Sequence, residues 1–187
     1  MSDEQTDEQR EGQSTESHVI DADDFAKAGL QTEGVYHWTV TKMFKQTKTG
    51  KNGDYDVITG ILTPFERAIF NPGGGVEDIE ELDFARGEFQ DFPLNGKGLG
   101  RLKGLYKVIT GTLPQGVLNA ETGRYEIDLL SVAEECVGGT AWNSYTHTKP
   151  DQQTRAIYGR IGFNFNKGPK AIKRLLPQEG ADDVGEA

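Results

Sequence analysis

The sequence predicts a mainly β protein: a five-stranded, OB-fold-like barrel with a helix between strands three and four, and a disordered acidic tail at each end. Periodic segments occur in the order strand, strand, strand, helix, strand, strand, which is the order expected of an OB-fold. The 24 glycines among 187 residues suit a small barrel, because its strands bend at bulges and glycines. The acidic excess is concentrated in the two terminal segments.

The two ends of the chain differ from its middle in charge. Residues 1–24 carry nine acids and one base, a charge of −8, and residues 178–187 carry four acids and no base. Subtracting both from the net charge of −10 leaves +2 for residues 25–177. Because such polar segments bury too little apolar area to offset the entropy of ordering, we predict an arm over 1–24, one folded domain over 25–177 and a tail over 178–187.

The first half of the domain is predicted to hold three strands. Aromatic and β-branched residues alternate with polar ones in 34–44, which is typical of a strand. Asn52-Gly53 predicts a hairpin turn, and the return strand over 54–62 is expected to end at Pro64. The acidic stretch 77–83 is predicted as a loop, and 84–94 as the third strand, with Gly87 a candidate bulge.

The second half contains the predicted helices and the last two strands. Apolar residues recur at helical spacing over 98–110, and Gly100 and Gly104 suggest close packing of that helix. The remaining predicted elements are a short helical turn at 24–28, a loop over 112–124, a second helix over 129–137, strands over 140–148 and 155–165, and a short basic helix over 170–176.

Lysines at the end of the first strand form a candidate phosphate-binding site. Lys42, Lys45, Lys48 and Lys51 follow one another at intervals of three, and the corresponding loop of an OB-fold flanks the nucleic-acid groove. Unpaired lysines there would neutralise phosphates and release counterions. The alternative interpretation is a solvated hairpin tip. The basic residues predicted to continue the phosphate track are Arg86, Lys149 and Arg155.

Aromatic side chains are the second component of the predicted site, since bases stack on exposed rings with about 1–3 kcal/mol each. Most of the aromatic residues are expected in the core, because a barrel needs large residues inside. Four are predicted to be exposed, since each lies near a strand end or beside polar neighbours. These predicted base-stacking residues are Tyr55, Phe89, Phe92 and Tyr145.

Neither catalysis nor metal binding has a supporting motif. The three histidines are isolated, and the sequence contains no HxH or HExxH pattern, so no metal is predicted. The single cysteine, Cys136, cannot form an intramolecular disulfide, and its place in a predicted helix favours a small buried residue over a nucleophile. We therefore expect a non-enzymatic protein without a cofactor. No run of 18 apolar residues occurs, so no membrane span is predicted, and the cytoplasm is the expected location.

Two stretches carry a family resemblance: GVYHWTVTKMFKQTKTGKNGDYDVITGIL and FQDFPLNGKGLGRLKGLYKVITG. With the later GGTAWNSYTHT and YGRIGFNF as the last two strands, residues 33–166 resemble the OB-fold proteins that phages encode beside replication and recombination genes. The resemblance implies single-stranded DNA binding in phage replication or recombination, in the cytoplasm of the host cell.

Together these features predict sequence-tolerant binding of single-stranded DNA, with loop lysines on the phosphates and aromatic rings on the bases. The acidic tail is similar in charge to that of bacterial single-stranded DNA-binding proteins, which implies phage or host replication and recombination proteins as partners, although it lacks a terminal aromatic residue. The alternative is a β-barrel protein-interaction or virion-assembly module that binds no nucleic acid. A homodimer is left open.

Overall fold

The computed structural model describes residues 22, 27–83 and 85–172. The predicted acidic segments 1–24 and 178–187 lie outside the described residues, apart from Ala22. Most of the helical turn predicted at 24–28 and of the basic helix predicted at 170–176 also falls outside them. The described residues therefore cover nearly all of the predicted domain, and the statements below concern that part of the chain.

The described part of the chain contains eight strands, two α-helices and one short 3-10 helix. The strands are β1 (Gly34–Gly50), β2 (Gly53–Phe70), β3 (Val76–Glu81), β4 (Glu88–Pro93), β5 (Val117–Asn119), β6 (Arg124–Glu126), β7 (Thr140–His147) and β8 (Gly159–Ile161). The helices are α1 (Gly96–Thr110) and α2 (Leu129–Glu134), and the 3-10 helix spans Pro169–Ala171.

Six strands form one antiparallel sheet in the order β3-β2-β1-β7-β8, and β4 also pairs with β2, alongside β3. Strands β5 and β6 form a separate hairpin. The predicted mainly β class is thus confirmed. Within the described residues no strand pairing joins β4 to β8, so the sheet does not close into a barrel there.

The hairpin of β1 and β2 is longer than predicted. Gly50 pairs with Gly53, so the turn lies one residue earlier than expected, and Gly53 adopts a φ of +104° that favours glycine. Strand β2 also continues through Pro64, contrary to the prediction. On one side of β2, β4 pairs only up to Leu62 and β3 only from Glu66, and on the other side the register with β1 shifts at the same point. The proline is tolerated because the N–H that it lacks would lie where the strand pairing is interrupted.

Two segments predicted as loops form strands. The acidic stretch becomes the edge strand β3, where Glu80 lies opposite Arg67 of β2 and Ile79 lies opposite Ala68. A cross-strand pair of opposite charge stabilises such an edge, and its other acids discourage pairing with a further chain. Within 112–124, the predicted loop instead includes β5 and the start of β6.

Both predicted helices are present. Helix α1 begins where the Asn95 side chain accepts the Gly98 N–H and ends at Gly111, which has a φ of +80°; both are preferred capping residues. Asp128 caps α2 by accepting the N–H groups of Leu130 and Ser131, and this helix is shorter than predicted. No helix in the described part of the chain is long and apolar enough to cross a membrane.

The main core lies between one face of the sheet and the two helices. Its largest fully buried side chains include Trp38, Tyr36, Tyr145 and Phe92. Phe92 and Tyr145 were predicted to be exposed, and that prediction is wrong, because both point from their strands toward the helices. A smaller cluster on the opposite face contains Val35, Ala68, Trp142 and Ile172.

Arg101 of α1 occupies the gap between β4 and β8. One guanidinium nitrogen, Nη2, donates to Gln90 Oε1 of β4 at 2.7 Å and to the carbonyls of Ile161 and Gly162 at 2.8 and 2.5 Å. Burial, with the nearby Arg160 charge as a second cause, lowers the pKa of Arg101 to about 10. One helix side chain therefore connects the two strands that the backbone leaves unpaired.

Three of the four glycines of α1 lead to a prediction about packing. A Cβ on Gly98 would lie 1.9 Å from the Pro93 carbonyl oxygen, whereas one on Gly104 or Gly100 would meet nothing within 4 Å. The close approach thus belongs to Gly98, not to the two glycines predicted. We expect Gly98→Ala to cost about 1–3 kcal/mol of unfolding free energy, and Gly104→Ala to add about 1 kcal/mol through helix propensity.

Urea denaturation followed by fluorescence of the buried tryptophans measures both variants. Equal destabilisation by the two substitutions would contradict the assignment of the close contact to Gly98.

Candidate nucleic-acid interface

One side of the β1–β2–β4 region faces away from the core. Successive strand residues point to opposite sides, and the inward side places Met43, Ile58 and Phe92 in the core. The register of the three strands then assigns the outward residues, which we call the open face. They are Lys42, Phe44, Gln46 and Lys48 of β1, Tyr55, Val57, Thr59 and Ile61 of β2, and Phe89, Asp91 and Pro93 of β4. Two of them, Val57 and Thr59, are fully buried.

Aromatic rings are exposed on the open face. Phe89 is 69% exposed and Tyr55 is 44% exposed, while Phe44 is half-buried. The Lys42 ammonium lies 5.4 Å from the centre of the Phe44 ring, within the range of a cation–π interaction. A surface that leaves a phenylalanine largely in water, on the same side as two lysines, presents both apolar area and positive charge to a ligand.

A hydrogen-bonded chain fixes the polar centre of the open face. Gln46 Nε2 donates to Thr59 Oγ1 at 2.6 Å, and that hydroxyl donates to Asp91 Oδ1 at 2.7 Å. Lys48 Nζ pairs with Asp91 Oδ2 at 2.5 Å. The side chains of the centre are therefore ordered, and the charge of Lys48 is balanced by an adjacent carboxylate.

Only two of the four predicted lysines share this face. Lys42 and Lys48 lie on it, but Lys45 points to the opposite side, where its Nζ is 2.6 Å from Asp56 Oδ2, and exposed Lys51 belongs to the turn. The Lys45 hydrogen bond, with that of Thr47 second, lowers the pKa of Asp56. A spacing of three alternates sides in a strand, so the four lysines do not form one row on a single side of the sheet.

Two of the four aromatic residues predicted to be exposed are exposed, and two are not. Tyr55 and Phe89 are exposed as predicted, whereas Phe92 and Tyr145 are fully buried and cannot stack on a base. The Tyr145 hydroxyl donates to Glu88 Oε1 at 3.2 Å. Burial first, and the Glu88 carboxylate second, raise the pKa of Tyr145 to about 12, so it remains a neutral phenol in the core.

The other predicted basic residues lie elsewhere. Arg86 is exposed two residues before β4, next to the open face. Lys149 and Arg155 are exposed in the segment after β7, whose end pairs with the start of β1. Neither residue belongs to β1, β2 or β4, so neither is part of the open face.

Sequence reasoning missed Phe44, Gln46 and Asp91. Strict alternation from Lys42 to Lys48 would have found the first two, because residues two apart share a side. Asp91 could not be found this way, since its contact with Lys48 depends on the register between strands that are distant in sequence.

The cysteine and one histidine of the described region are buried or hydrogen-bonded within the protein. Cys136 is buried, and desolvation, followed by the Glu135 charge, raises the pKa of its thiol to about 12. His37 stacks on Trp142 with ring centres 4.6 Å apart, and its Nδ1 lies 2.7 Å from Glu66 Oε2. The described residues contain no group of three or more side chains able to hold a metal ion.

Fold and site together define a mainly β protein whose antiparallel sheet exposes aromatic and lysine side chains on one side. Compared with known proteins, the sequence matches no family model and no curated protein.

Proposed function

We propose that this protein binds single-stranded DNA through the open face, with little dependence on base sequence. The observation that carries the proposal is that exposed Phe89 and Tyr55 lie on one strand-built surface, which also holds half-buried Phe44 and the lysines Lys42 and Lys48. Exposed rings stack on bases of any identity, and Lys42, which has no ion pair in the described part of the chain, contacts a phosphate. Bases in a duplex are already stacked on one another, so single strands are the favoured ligand.

The strand order supports an OB-fold-like arrangement within this proposal. With β4, β2, β1, β7 and β8 as its five strands, the sheet has the neighbour order of an OB-fold, and α1 lies between the third and fourth of them in sequence. Arg101 bridges the gap between β4 and β8, where the sheet does not close. OB-folds bind oligonucleotides on the face formed by strands two and three, and here that face is the open face.

The proposed setting is phage DNA replication or recombination. It is supported by the family resemblance of residues 33–166.

Fluorescence anisotropy with labelled oligo-dT tests the proposal. We expect the logarithm of the association constant to fall by about 0.7 per tenfold increase in salt concentration for each phosphate neutralised. A duplex of the same length should bind more weakly. An RNA strand of the same length, measured in the same way, compares the affinity for RNA with that for DNA. Absent binding at low salt, or binding that salt does not weaken, would contradict the proposal.

Two aspartates give a matched prediction for the role of the open face. Asp91→Asn should free Lys48 for phosphate, so DNA binds more tightly and the salt slope steepens by about 0.7. Asp56→Asn changes the net charge equally but releases Lys45 on the other side of the sheet, so the slope should stay near that of the wild type. Identical behaviour of the two variants would show that only overall charge matters.

A protein-interaction module remains the second candidate, because the β5–β6 hairpin exposes Val117, Leu118 and Tyr125. Light scattering that shows oligomers, with no change on addition of oligo-dT, would favour it over DNA binding.

A further inference from the structure

The β5–β6 hairpin has an apolar side with no partner in the described part of the chain. Its register pairs Leu118 with Tyr125, and alternation adds Ile127 to the same side. These three side chains are 54%, 75% and 45% exposed. An isolated two-stranded hairpin is marginally stable in water, so a further contact at this hairpin would stabilise it.

The hairpin also has free edges. Strands β5 and β6 pair only with each other among the described residues, which leaves the outer edge of each available for another strand. The three residues of β6, Arg124, Tyr125 and Glu126, are all exposed. Arg124 and Glu126 lie on the polar side, where Asn119 and Thr122 donate to the Glu126 carboxylate.

We propose that β6 pairs with β6 of a second copy of this chain, in antiparallel orientation about a two-fold axis that passes between the two copies of Tyr125. In that register Arg124 lies opposite Glu126 of the second copy, and Glu126 lies opposite its Arg124. The strand is therefore complementary in charge to itself, as an isologous interface requires. The two tyrosines meet at the axis, and the hairpins form a four-stranded sheet with one continuous apolar side.

Several features favour a second copy over other occupants. Opposite charges directly across an antiparallel pair are stabilising and like charges are destabilising. The order of charges in β6 therefore favours pairing with a second, antiparallel copy of the same strand. A nucleic acid is disfavoured, because Glu121, Glu126 and Asp128 are exposed around the hairpin. The inference is independent of DNA binding, since the open face belongs to the other sheet.

Charge-reversal variants test the interface by sedimentation equilibrium over a wide range of protein concentration. The wild type should show a concentration-dependent dimer. Arg124→Glu alone and Glu126→Arg alone each place like charges across the axis, so the dimer dissociation constant should rise about tenfold or more. A mixture of these two variants restores opposite charges in both pairs and should form a heterodimer, detected by native mass spectrometry. The mixture also guards against misfolding, because two unfolded variants would not rescue each other.

Cysteine cross-linking tests the register. The Cα atoms of directly opposed antiparallel residues are about 4.5–5.5 Å apart, which suits a disulfide, so Tyr125→Cys should form covalent dimers on oxidation. Glu121→Cys, in the loop away from the axis, is the matched control, and buried Cys136 should not compete. A wild type that remains monomeric, or a dimer that neither charge variant weakens, would overturn the inference.

Discussion

Replacing Phe89 with alanine is expected to weaken oligo-dT binding by about 5- to 150-fold, the equivalent of one lost base stack of about 1–3 kcal/mol. Phe89 is 69% exposed and makes no ring contact with another aromatic residue of the described region. Its truncation should therefore leave the unfolding free energy almost unchanged. The variant separates a binding role from a packing role, because only the affinity should respond.

A matched exposed aromatic residue makes this result specific. Tyr158 is 61% exposed, but it lies just before β8, outside the open face, so Tyr158→Ala should retain nearly wild-type affinity. Phe89→Leu keeps the apolar bulk without an aromatic ring and should recover only part of the lost affinity. If Phe89→Ala bound oligo-dT as tightly as the wild type, the open face would not be the binding surface.

Replacing Tyr145 with alanine should have the opposite profile: a loss of about 3–5 kcal/mol of unfolding free energy, as for other large core aromatics. The ring is fully buried and packs edge-on against Tyr36, with centres 6.4 Å apart, and beside Trp38 at 5.9 Å. Since folded proteins are stable by only about 5–15 kcal/mol, this loss is a large fraction of the total stability.

Tyr145→Phe is the control for that variant. It retains the ring and removes the hydroxyl with its hydrogen bonds to the Glu88 carboxylate and the Gln31 backbone, so the cost should be about 1–3 kcal/mol. Urea denaturation measures both variants. A stable Tyr145→Ala protein with reduced DNA affinity would contradict the assignment of this residue to the core.

Local patterns predicted much of the fold. The β1–β2 hairpin follows from alternation and from glycine near the turn, and α1 follows from apolar residues at helical spacing between Asn95 and Gly111. Strand β3 was missed because its acidic residues have low strand propensity. Its pairing depends on β2, which supplies Arg67 opposite Glu80.

The types of residue in the site could be predicted from the sequence, but which individual residues share the open face could not. Lysines and aromatic residues near the hairpin were identified from sequence, and Lys42, Lys48, Tyr55 and Phe89 do lie together on the open face. A bulge at Thr41 shifts the alternation, so the core receives both Val40 and Met43. Such a bulge is set by the partner strand and leaves no mark in the sequence of β1.

By itself, the sequence determined the β-rich class, the presence of the first hairpin, the main helix and the kinds of side chain available to a ligand, because these depend on contacts between near neighbours. Only the tertiary structure decided which aromatic rings are exposed and which lysines share a side. Tyr145 and Phe89 both occur among polar neighbours, yet one is covered by core elements and the other faces water. That difference depends on which elements pack against each strand face, and those elements are far away in sequence.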